Sequence, residues 1–182
     1  MKRVISIIPL LLLIFAVCFN LYFLFPETKL KTEVNDGVFA FGLIYRMNVA
    51  WNEGQCPLSV NCLPSLFDHW NSQWAMGFPL PHFYQHIPDL AVVMVFKFLN
   101  LFSKISLWTT FEWFKYLMLS LVPLSYFVSA KKFGLNNLTA AFSALVSTQI
   151  STQYLYGTDY NALVWRGSGM YTQLWGIFFL PL

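Results

Sequence analysis

The chain has 182 residues, of which 57% are hydrophobic, 19% aromatic and only 10% charged, whereas a soluble domain carries about 25% charged residues. So few charges cannot cover a water-facing surface, and the apolar residues come in long blocks rather than periodic stripes, so lipid is the expected solvent. The net charge of +3 rests on 11 basic and 8 acidic residues, with no Lys/Arg stripe to follow a phosphate backbone, which excludes nucleic acid as a partner.

Behind Lys2 and Arg3, the apolar run 4–25 matches the roughly 20 residues that cross a hydrocarbon core. It predicts a first membrane helix. A cleaved signal peptide is the alternative, but the run is long, ends in the bulky Tyr22, Phe23 and Phe25, and lacks a small-x-small cleavage site. The two basic residues in front place the N-terminus in the cytosol, with Lys29 and Lys31 behind the helix pulling the other way.

The stretch 26–86 reads as a long extracytoplasmic loop. Aromatic residues such as Trp51, Trp70, Trp74, Phe78 and Phe83 sit among the turn formers Gly54, Pro57, Pro64 and Pro79. Within it, 38–51 has the amphipathic character of a helix lying in the membrane interface. Cys18 falls in the first apolar run; Cys56 and Cys62 share the loop, either as a disulfide in an oxidising compartment or as two free thiols.

Residues 87–182 read as further membrane segments: apolar blocks at 87–102, 107–130 and 138–150, and a last one opening at Leu174. The expected architecture is an all-α integral membrane protein, a multi-pass helical bundle in the cell membrane with the lipid bilayer as partner. We read 1–182 as a single transmembrane domain and, because the run at Phe178 and Phe179 has no polar tail, as the N-terminal part of a larger protein. Simple alternation from a cytosolic N-terminus puts Lys131 and Lys132 outside, against the positive-inside tendency. Either one short block does not cross, or the charge bias is overridden.

Three polar clusters could carry chemistry. Asp36, beside Asn35 and near Glu33, opens the amphipathic run; such a carboxylate suits a divalent cation or a general base, or it simply caps the helix. In the second, His82, Tyr84, His86 and Asp89 crowd a Gly/Pro-rich turn. His82 and His86 have the i, i+4 spacing of zinc ligands, but Pro81 and Pro88 favour a rigid turn in which these groups share hydrogen bonds. In the third, Asp159, Trp165 and Arg166 lie between apolar blocks, where the guanidinium and ring suit a phosphate or sugar, or an interfacial aromatic belt. Glu112 and Lys115, at i and i+3, predict a local ion pair, and with Lys97 are the only charges that could line a path through the membrane.

The Asn35–Asp36 pair, the run Met76-Gly-Phe-Pro-Leu-Pro-His-Phe-Tyr-Gln85, Lys131-Lys-Phe-Gly134, Tyr156-Gly-Thr-Asp159 and Trp165-Arg-Gly-Ser-Gly169 occur in that order. The series resembles a group of polytopic membrane proteins labelled 6-pyruvoyl-tetrahydropterin-synthase-related, which is similar to glycosyltransferases of the C-type membrane fold. The label brings no pterin chemistry, since the zinc-binding histidine triad of that enzyme is not in this sequence. The resemblance implies a first extracytoplasmic loop whose acid serves catalysis or holds a divalent cation, and a polyprenyl-phosphate-linked sugar as donor. It makes Asp36 the essential acid and Asp159 a second one. Arg166, Trp165, His82, Tyr84 and His86 would line the substrate. The competing expectation is a non-catalytic polytopic protein, a transporter or assembly partner, using the same loop as a binding surface.

Overall fold

The computed structural model describes residues 2–32, 36–53, 66, 70, 77, 84–148 and 171–179, and every element among them is helical. The helices are α1 (Lys2–Leu24), α2 (Asp36–Glu53), α3 (Ile87–Leu99), α4 (Leu107–Lys132), α5 (Asn137–Ser147) and α6 (Tyr171–Phe179), with a 3-10 turn over Phe25–Lys29. The apolar blocks of the sequence thus become helices at nearly the expected places. The first is extended at its start, because Lys2 and Arg3 are themselves good helix formers, and ends where Pro26 allows only the tighter 3-10 turn.

The chain forms two compact units, one of residues 1–37 and 112–182 and the other of 38–111. In the first, α1 buries a narrow stripe of Pro9, Ala16, Asn20 and Leu24, continued by Glu27, and exposes Ile7, Leu10, Leu11, Ile14, Phe15, Phe19 and Phe23. Ile7–Lys29 is, among the described residues, the one segment long and apolar enough to cross a membrane. The helix packs along α5, whose small face of Ala140, Ala141, Ala144 and Ser147 is buried. Small side chains let backbones approach closely, which is how helices associate where lipid surrounds them.

Against α4, α1 runs antiparallel: Asn20 meets Leu119, the Leu21 carbonyl accepts from the Tyr116 hydroxyl at 2.8 Å, and Phe25 packs edge-on against Trp113 and Tyr116. One of these bonds follows directly from the sequence of α4. Pro123 has no N–H to meet the carbonyl one turn back, and that carbonyl, of Leu119, accepts from Asn20 Nδ2 at 3.4 Å. α6 adds a stacked Phe114–Trp175 pair and a bond from Ser125 Oγ to the Phe178 carbonyl.

Local bonds close the turn from α4 to α5. Gly134 has a positive φ of 83°, Leu135 N–H donates to the Ala130 carbonyl and Gly134 N–H to that of Lys131, each at 3.0 Å. This is the 6→1 and 5→2 pairing of a Schellman motif. Asn136 then caps α5, its side chain accepting from Thr139 N–H at 2.9 Å.

In the second unit, Phe39 lies against Tyr84 at 4.9 Å and Asn52 accepts from Lys97 at 2.7 Å. The two contacts share one register, so α2 and α3 run parallel, joined by the long loop. Leu43, Ile44 and Met47 of α2 and Val92 and Val93 of α3 are buried, and Phe41 packs on Trp108 and Phe111 at the start of α4.

Candidate functional site

Asp36 is the first residue of α2 and is half-buried. The helix begins at the acid rather than after it, so the capping position falls to residue 35, outside the described residues. A carboxylate in the first turn faces the positive end of the helix dipole. Its side chain stands where the chain re-enters helix after the candidate span, the 3-10 turn and Leu30 to Thr32.

Of the second cluster, Tyr84 packs its ring on Phe39 of α2, and His86 immediately precedes α3. Asp89, in the first turn of α3, is 4% exposed, and its Oδ1 has no hydrogen-bond partner among the described residues. Burial raises its carboxyl from 3.8 to about 8, so at neutral pH the neutral acid prevails. An acid held protonated in an apolar seat can donate a proton or a hydrogen bond.

Sequence reasoning missed Arg46. Its Nη2 donates to the Trp70 carbonyl at 2.7 Å, and the same nitrogen lies 4.0 Å from Glu53 Oε2. Trp70 in turn covers Gly77, where φ is 108° and a Cβ would overlap the indole. Arg46, Trp70 and Gly77 therefore tie the aromatic loop to α2. An arginine inside an otherwise apolar run was the available signal.

The first unit holds a second charged group that the sequence only half revealed. Lys115 Nζ lies 3.0 Å from Glu112 Oε2, the local pair expected, and 4.0 Å from Glu27 Oε2. Both carboxylates are 0% exposed and Lys115 is 5% exposed. Glu27 reaches them from the 3-10 turn behind α1, a joining of distant positions that no periodicity announces. Burying such charges is costly unless each is paired, and the lysine between two carboxylates supplies that pairing.

His82, Asp159, Trp165, Arg166, Cys56 and Cys62 lie outside the described residues. Cys18 is a free, exposed thiol on α1. Among the described residues no three His, Cys, Asp or Glu side chains gather as metal ligands. The structure thus brings Tyr84 to α2 and sets His86 and Asp89 at the head of α3, within the second unit, while Asp36 belongs to the first. Compared with protein-family models, curated proteins and solved structures, the chain matches none.

Proposed function

We propose that the chain is an integral membrane protein of the glycosyltransferase-like kind, multi-pass in the cell membrane, acting outside the cytosol on a lipid-phosphate-linked sugar. What supports this best is the place of Asp36: a half-exposed carboxylate opening a helix just behind the candidate span, at the depth where a polyprenyl phosphate presents its sugar. In such a transfer an acceptor hydroxyl oxygen attacks the anomeric carbon. The bond from that carbon to the phosphate oxygen breaks, the polyprenyl phosphate leaves, and the hydroxyl proton passes to the Asp36 carboxylate as general base. Arg166 is assigned to the phosphate and Trp165 to the sugar face, on the family resemblance alone.

The test uses membranes containing the chain and radiolabelled polyprenyl-phosphate hexoses. Asp36→Ala is expected to lower transfer at least ~100-fold, the usual worth of a positioned general base, with membrane insertion unchanged. Full transfer by the variant refutes the assignment.

The buried Glu27–Lys115–Glu112 group favours a second reading, a non-catalytic membrane protein, since ionisable residues kept inside membrane helices mark ion or proton paths. Proton uptake into liposomes containing the chain, lost in Glu112→Gln, would select it over the enzyme.

A further inference from the structure

The antiparallel pairing of α1 with α4 settles where two groups of basic residues stand relative to each other. Asn20 meets Leu119, Leu21 meets Tyr116, and Glu27 meets Lys115. Carried along both helices, that register sets Lys131 and Lys132 level with Ile8 and Ile7, about one and a half turns from Lys2 and Arg3 at 3.6 residues per turn. α1 also packs along α5, which starts just after the α4 turn. Lys2, Arg3, Lys131 and Lys132 therefore share one end of the first unit.

The opposite end is mixed: Glu27, Asp36 and Glu112 offset Lys29, Lys31 and Lys115. At the basic end, Lys131 Nζ donates to the Leu135 carbonyl at 3.0 Å. There Lys131 and Lys132 are exposed, and beside them Phe133 is 83% exposed, with Leu135 and Leu138 also uncovered. Exposed lysines next to exposed apolar groups are the composition of a headgroup-level contact, where the rings and aliphatic chains enter the acyl region and the ammonium groups meet lipid phosphates.

We propose that this basic end of the α1–α4 pair lies on the cytosolic leaflet and binds anionic phospholipid headgroups. α1, the candidate span, carries the chain outward from that leaflet. α3, with 13 residues, is about 20 Å long at 1.5 Å per residue, against about 30 Å of hydrocarbon. The positive-inside tendency, which simple alternation of apolar blocks violates, is then obeyed at both ends of the pair.

The inference rests on the membrane reading, and the experiment separates the two. Membranes containing the full chain are first washed with alkaline carbonate; release of the chain sinks the membrane reading itself. With the chain retained, Lys29→Cys and Lys132→Cys are each made in a chain whose Cys18, Cys56 and Cys62 are replaced by serine, and probed with a membrane-impermeant maleimide. Lys29→Cys is expected to label in intact cells and Lys132→Cys only after permeabilisation. Labelling of both from one side, or the reverse pattern, overturns the proposed topology. In liposomes, spin-labelled phosphatidylglycerol is expected to associate severalfold more strongly than spin-labelled phosphatidylcholine, and Lys131→Gln with Lys132→Gln to bring the ratio close to one. Equal association in the unaltered chain, or an unchanged ratio in the double variant, overturns the headgroup assignment.

Discussion

Lys115 joins two buried carboxylates within the first unit. With the ammonium 3.0 Å from one fully buried carboxylate and 4.0 Å from another, Lys115→Met would leave both charges without that partner. Breaking a buried pair from one side costs about 3–5 kcal/mol, so the variant should unfold at a clearly lower denaturant concentration in micelles. Adding Glu27→Gln and Glu112→Gln should recover most of that loss, which a purely steric role for the lysine does not predict. Asp89 has the opposite character, a buried acid with an apolar seat. Its folded-state value near 8 lies above the 3.8 of an exposed aspartate, so between these values the folded chain holds a proton that the unfolded chain has lost. Its stability contribution is complete below about pH 4 and declines as pH rises towards 8, by at most about 1.4 kcal/mol per unit. Unfolding followed across pH 5 to 8 should show that slope, and Asp89→Asn should flatten it.

At the scale of elements, Arg46, Trp70 and Gly77 form one line of contacts between α2 and the loop that follows it. Gly77→Ala meets both a positive φ and the Trp70 indole, so it should cost more than the ~1 kcal/mol of an ordinary backbone penalty. A downward shift of the thermal midpoint would register it, and a midpoint that did not move would mean that Trp70 does not cover the glycine. The capped start of α5 offers a smaller, cleaner change: Asn136→Ala should cost about 1 kcal/mol, read by the same measurement. The helices themselves were legible, because runs such as 4–25 and 107–130 have the length and apolar content of helices. What ties one helix to another was not. Asn20 looks like a polar blemish in an apolar run until Pro123, far along the chain, is seen to leave the Leu119 carbonyl in need of a donor. Arg46 likewise gains its meaning only when Trp70 arrives from a loop without periodicity.

In the first unit, polar groups are buried beside the apolar core and many apolar side chains are left uncovered. Asn20, Glu27, Glu112, Lys115, Ser120 and Ser125 are buried, while Phe15, Phe19, Phe23, Leu117, Phe142 and Val146 are uncovered. Uncovered apolar side chains of this kind are what supports the membrane reading proposed above. The direction of α4 relative to α1 was not readable in the sequence, because apolar blocks counted one after another do not say which of them pair. The division into two units was equally hidden, since it cuts α4 within a continuous helix.

The turn between α4 and α5 bears on the order of folding. Its backbone and capping bonds join residues no more than five positions apart, from Ala130 to Thr139, so closing it costs little chain entropy. The salt bridge from Glu27 to Lys115 instead has to bring together distant parts of the chain. The α4–α5 hairpin can thus form while it is being synthesised and reach α1 already folded, leaving the long-range charge pairing as the late, committing step of assembly.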